Sequence, residues 1–172
     1  MSDVSLLEEF LNIKYLGKYE WSPNGEFIAF IWDDGGTNDL WLVAPGVSLP
    51  QKLTSAQKGV SDLEWLPKTS EMFFVMDDAI YKMGVSPISE PSLIYRATDQ
   101  ITGISCSPLG TTLAFGLGGK IHLYDVASCA VKQLEMPGLL NQTSHLGIVL
   151  WSPDGTKFAF SFKDGDTYHQ IA

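Results

Sequence analysis

Histidine, cysteine and basic residues are scarce in this sequence. Three histidines and two cysteines are spread over 172 residues, and 11 Lys and Arg stand against 20 Asp and Glu, a net charge of −9. Two cysteines, Cys106 and Cys129, make neither a disulfide framework nor a metal-ligand cluster. Affinity for nucleic acid comes largely from Lys and Arg displacing counterions, so no nucleic-acid partner is expected. An anionic membrane surface is disfavoured for the same reason. No apolar run approaches the roughly 20 residues that span a bilayer. The opening Met1-Ser-Asp-Val-Ser-Leu-Leu-Glu-Glu has no basic segment followed by a long apolar stretch, so a cytoplasmic location is expected.

What the sequence does contain is a repeat. Trp21-Ser-Pro-Asn-Gly, Trp65-Leu-Pro-Lys-Thr, Cys106-Ser-Pro-Leu-Gly and Trp151-Ser-Pro-Asp-Gly recur at the length of one four-stranded propeller blade, about 40–45 residues. All four carry proline two residues on (Pro23, Pro67, Pro108, Pro153) and phenylalanine nine residues on (Phe30, Phe74, Phe115, Phe160). The eighth position holds Ala29, Phe73, Ala114 and Ala159. The fourth holds Gly25, Gly110 and Gly155, with Thr69 breaking the pattern.

Each position has a physical reason. Proline fixes φ and has no N–H, which suits the second position of a type I turn. Glycine tolerates the left-handed conformation that closes such a hairpin. Phe27-Ile-Ala-Phe-Ile, Met72-Phe-Phe-Val-Met, Leu113-Ala-Phe and Phe158-Ala-Phe are continuous apolar runs, as expected of strands buried on both faces between stacked sheets. The small alanine beside the phenylalanine in three of the four segments lets neighbouring blades approach. With Lys68-Thr69-Ser70 in place of the glycine turn, the first hairpin of the second blade is expected to differ.

The expected fold is all-β, a partial propeller of about three and a half four-stranded antiparallel blades in a single domain. A short helix is expected over 1–14, where Ser5-Leu-Leu-Glu8 fits a capping box. Blades follow at 15–57, 58–99 and 100–140, with an incomplete fourth at 141–172. An unclosed array exposes sheet faces and an unpaired edge, so self-association is expected.

At Trp21-Ser-Pro-Asn-Gly-Glu-Phe-Ile-Ala-Phe and Trp151-Ser-Pro-Asp-Gly-Thr-Lys-Phe-Ala-Phe the chain resembles the N-terminal propeller of prolyl oligopeptidase family serine peptidases, including the acylaminoacyl-peptidase and dipeptidyl-peptidase branches. The TolB-like propeller carries the same repeat. The acidic, leucine-rich opening and Asp39-Leu-Trp-Leu-Val favour the peptidases. That resemblance implies a non-catalytic filter admitting short peptides to an α/β-hydrolase domain that is not in this chain. The alternative is a TolB-like or WD-repeat-like scaffold that binds protein partners.

No catalytic, cofactor-binding or metal site is expected within the 172 residues. Gly103-Ile-Ser105-Cys-Ser107 approaches a nucleophile elbow but has no final glycine, and the repeat demands a strand there. His122, His145 and His169 have no ligand spacing. Cys106 reads as a small buried hydrophobe and Cys129 as an exposed turn residue. Asp33-Asp-Gly-Gly-Thr-Asn-Asp39 offers oxygen ligands but not the spacing of a calcium loop, and it reads as a hairpin turn, like Asp164-Gly-Asp166. Trp32 beside it is either a binding aromatic or blade packing.

Overall fold

A computed structural model describes residues 16–46, 49–135, 145–164 and 167–171. Among these there is no helix; the expected helix over 1–14 lies outside the described residues. The strands form four antiparallel sheets, each built from consecutive strands in sequence order. The first comprises β1 (Leu16–Trp21), β2 (Ile28–Asp33), β3 (Asn38–Val43) and β4 (Gln51–Lys52). The second comprises β5 (Val60–Trp65), β6 (Glu71–Met76), β7 (Ala79–Gly84) and β8 (Ser92–Arg96). The third comprises β9 (Ile101–Cys106), β10 (Thr112–Leu117), β11 (Lys120–Asp125) and β12 (Val131–Gln133). The fourth has three strands, β13 (His145–Trp151), β14 (Phe158–Asp164) and β15 (Thr167–Ile171). The sheets stack in order and their first strands touch one another, which makes β1, β5, β9 and β13 the inner strands of a partial propeller.

The repeated turn closes as its residues dictate. The N–H of Gly25, Gly110 and Gly155 donates to the carbonyl of Ser22, Ser107 and Ser152 at 2.9, 2.7 and 2.9 Å. Each of these glycines sits at a φ near +70°, open to glycine without steric cost. The second blade departs from this, as its sequence implies. Thr69 N–H still reaches the Leu66 carbonyl, but the left-handed residue is Lys68, one place earlier, as in a type II turn.

Every blade has a leading face, towards the blade before it, and a trailing face, towards the blade after it. The trailing Ala29, Ile31, Leu40 and Leu42 share one core with the leading Val60, Leu63, Trp65, Met72 and Phe74. Trailing Leu66, Phe73, Val75 and Ile80 share the next with leading Ile104, Cys106, Leu113 and Phe115. Ala114 and Ile121 share the third with Leu146, Val149, Phe160 and Phe162. The repeated phenylalanines therefore all lead, and each fully buried one contributes roughly 1.5–3 kcal/mol.

All four inner strands carry an irregularity at the same height. The register to the second strand slips between Leu16 and Tyr19, Val60 and Asp62, Thr102 and Ile104, and Leu146 and Val149. A bulge of this kind bends a strand and re-aims its side chains. Here it falls at or just before the positions that carry polar groups on the inner strands.

Candidate functional site

The polar side chains of the inner strands converge between the first three blades. Lys18 on β1 donates from Nζ to Asp62 Oδ1 on β5 at 2.8 Å. It also pairs with Glu20 at 2.9 Å and lies 3.6 Å from Glu64. Burial alone would push this ammonium down, but Asp62 and Glu20 outweigh it and hold it above the ordinary lysine value. The two β5 carboxylates also reach forward to β9. Ile104 N–H donates to Asp62 Oδ2 at 2.9 Å, and Cys106 N–H donates to Glu64 Oε1 at 2.9 Å. Burial pushes the Glu64 carboxyl up to about 7, against the lowering effect of the Cys106 N–H.

The same device recurs in other chemistry at the next interface. Ser105 occupies the place of Glu64, and its hydroxyl accepts the Trp151 N–H at 3.3 Å while its carbonyl accepts the Trp151 indole N–H at 3.1 Å. Between the first two blades, the Trp65 indole N–H donates to the Glu20 carbonyl at 3.3 Å. The residue before each tryptophan position is thus the acceptor for the blade that follows. These groups are engaged in holding blades together, so the arrangement gives a polar inner surface and no nucleophile poised beside a base.

Ser105 itself is buried within β9, away from any strand-to-helix turn. Cys106 is buried beside Glu64; burial, then that carboxylate, pushes its thiol up to about 12, so it is an inert packing group. Cys129 is exposed at φ 58°, its N–H bonded to the Asp125 carbonyl at 2.9 Å. His122 stacks on Phe115 at 5.4 Å, and burial holds its imidazole below the usual value. His145 and His169 lie on β13 and β15, in other strands from His122.

The acidic loop separates into two structures. Asp33 Oδ1 accepts the N–H groups of Gly35 and Gly36, as in an aspartate-capped turn. Asp39 is buried instead, pairing with Lys52 at 2.6 Å and accepting from Thr54 Oγ1 at 2.9 Å and Ala56 N–H at 2.8 Å. Burial opposes its ionisation, but Lys52, Ala56 and Thr54 hold the carboxyl below its ordinary range. Residues 165 and 166 of the matching fourth-blade turn lie outside the described residues. Trp32 packs edge-on to Trp41 at 4.9 Å within the first blade, on its leading face.

The ends of the blades differ in chemistry. At the end where second strands turn into third strands lie Asp33, Asp34, Asp77 and Asp78. At the opposite end, turns expose Leu49, Ile88 and Leu109. Pro23 and Asn24 of the first blade and Lys68 to Glu71 of the second line a depression of about 540 Å³ there. Sequence reasoning missed both this surface and the inner-strand cluster. The available signal for the cluster was a polar residue at alternate places in otherwise apolar strands, Lys18 and Glu20, then Asp62 and Glu64.

No family model matches the sequence, and no curated protein does. Solved structures do match. TolB from Acinetobacter baumannii aligns with 91% of this chain at a TM-score of 0.74 and 21% identity, the chain spanning 40% of that structure's length. At that identity the likeness is one of fold, and the fold is a TolB-like propeller.

Proposed function

We propose that this chain is a non-catalytic, protein-binding propeller module that meets its partner at the turn end carrying Leu49, Ile88 and Leu109. The observation that carries this reading is a division of labour. The inner-strand polar groups are engaged in blade-to-blade bonds, whereas Leu49, Ile88 and Leu109 stand exposed on turns at the end of the blades that also carries a depression lined by the first two. Exposed apolar residues grouped with polar ones are the usual chemistry of a protein contact. The test is proximity labelling in the native host, comparing the wild type with the triple variant Leu49→Asp, Ile88→Asp, Leu109→Asp. Loss of a reproducible set of labelled neighbours is expected; an unchanged set overturns the reading.

A second reading is a gating propeller for a prolyl-oligopeptidase-type serine peptidase. It is favoured by the motif Trp21-Ser-Pro-Asn-Gly followed by Asp39-Leu-Trp-Leu-Val. Under it, the partner of the module is an α/β-hydrolase domain and the traffic past it is peptides. A serine-directed fluorophosphonate probe would then label a hydrolase in cells that is joined to this chain or isolated with it. No such labelled species after pull-down sinks this reading and leaves the first intact.

A further inference from the structure

We propose that the depression between the first two blades docks an extended segment of the partner protein, with Lys68 pairing a side-chain carboxylate of that segment. This rests on the reading of the turn end as the partner-binding end, and it names the chemistry that end takes. The depression lies where one contact of the repeat is missing. At the later junctions the turn glycine lies against the proline of the blade before it. A Cβ on Gly110 would lie 3.7 Å from the Pro67 ring, and one on Gly155 would lie 3.4 Å from the Pro108 ring. Pro67 and Pro108 are half-buried, whereas Pro23 of the first blade is exposed. The second blade has Thr69 at the glycine place, in a turn whose left-handed residue comes one position early. About 540 Å³ opens there, lined by Pro23, Asn24 and Lys68 to Glu71.

The other polar side chains of these walls are already engaged. Asn24 accepts from the Ser22 hydroxyl and the Glu26 N–H, and donates to the Glu26 carboxylate at 2.8 Å. Thr69 Oγ1 donates to the Leu66 carbonyl and accepts the Glu71 N–H. Ser70 Oγ donates to the Ser86 carbonyl, and Glu71 pairs with Lys82 at 3.2 Å. Lys68 is the exception: it is exposed, and among the described residues its ammonium has no ion-pair partner. Its backbone makes the same point independently. At φ 63° Lys68 holds the left-handed conformation that Gly25, Gly110 and Gly155 supply in the other turns, and a lysine is strained where a glycine is not. Strain kept where glycine would relieve it points to a side chain in use. In a chain of net charge −9, an unpaired cation beside a depression complements an acidic segment. Pro23 and Ile88, the latter on the loop that Ser70 bonds, supply the apolar contacts.

The test screens the purified full chain against an array of short synthetic peptides, amidated at the C-terminus so that only side chains supply carboxylates. Selection of Asp or Glu at one position among apolar neighbours is expected. Lys68→Glu keeps the strained backbone and reverses the charge, so its selection at that position should move to Lys and Arg. Lys68→Gly removes charge and strain together. Its affinity for the best acidic peptide should fall roughly tenfold, while its melting temperature stays at or above that of the wild type. No acidic preference, or one that Lys68→Glu leaves unchanged, overturns the proposal. A loss of binding in Lys68→Gly that comes with a lower melting temperature overturns it too, since the lysine is then a structural residue. Should either happen while the Leu49, Ile88 and Leu109 variant still loses its labelled neighbours, the turn end binds a protein and Lys68 has no part in it.

Discussion

Phe73 on the second blade and Cys106 on the third share one core, in the places that Ala29 and Trp65, or Ala114 and Trp151, hold at the neighbouring interfaces. Two departures from the repeat are thus one compensated change, the bulk moved from the later blade to the earlier. Phe73→Ala alone should leave a cavity and cost about 3–5 kcal/mol. Cys106→Trp alone should overpack and cost about 1–3 kcal/mol. The double variant restores the small–large pair, so its loss should fall short of the summed singles by about 1 kcal/mol or more, read by urea denaturation. Strict additivity would show that the two positions do not exchange volume.

This pair also marks where sequence reading stops. The blade and its strands were legible because proline, glycine and phenylalanine each do one local job at fixed spacing. The burial of Cys106 was legible from its place in that spacing. Its pairing with Phe73 was not, because the two lie on different blades and meet only through inter-blade register. The inner-strand bulges escaped for a different reason: Gly17, Ser61, Gly103 and Gly147 stand at or beside them, and no one residue type announces them. In the sequence Asp62 and Glu64 are two carboxylates at alternate places in a strand, with nothing to mark their partners. The bulge and the neighbouring β9 turn them into acceptors for backbone N–H groups some forty residues on.

Gly116 on β10 sits where the third blade meets the fourth. A Cβ there would lie 2.6 Å from Leu146 Cδ2 and 2.7 Å from the Thr102 carbonyl oxygen. The leucine end can move, but the backbone carbonyl of the adjacent inner strand cannot move without disturbing the bulge. Gly116→Ala should therefore destabilise by about 1–3 kcal/mol. Gly147→Ala meets chiefly the Ser161 hydroxyl, the end of a small rotatable side chain, and should cost less. Thermal melts of the two variants decide it, and equal losses would remove the distinction between backbone and side-chain contact.

Glu64 should make stability depend on pH in the direction opposite to most carboxylates. Burial raises its folded value to about 7 from 4.5, so between those values the folded chain holds a proton that the unfolded chain has released. Stability from this group is full below 4.5 and falls as pH rises towards 7, by up to about 3 kcal/mol. Glu64→Gln keeps an oxygen for the Cys106 N–H and has nothing to ionise. Its unfolding free energy should fall less steeply across that window than the wild type's. Parallel pH profiles would mean that the carboxylate is ionised at no cost in the folded chain.

Lys18 is the countercharge for the same cluster, and its removal should cost stability in a salt-dependent way. At neutral pH its ammonium lies within 2.9 Å of both Asp62 and Glu20 and 3.6 Å from Glu64. Lys18→Met retains the aliphatic stem but leaves carboxylates facing one another across the first two blades. Because the lysine is partly exposed, water screens part of the loss, and about 1–2 kcal/mol at about pH 7 is expected. In about 1 M salt the attraction is screened over a few ångströms, so the gap from the wild type should narrow. A deficit of the same size at low and high salt would place the role of Lys18 in its stem's packing rather than in its charge.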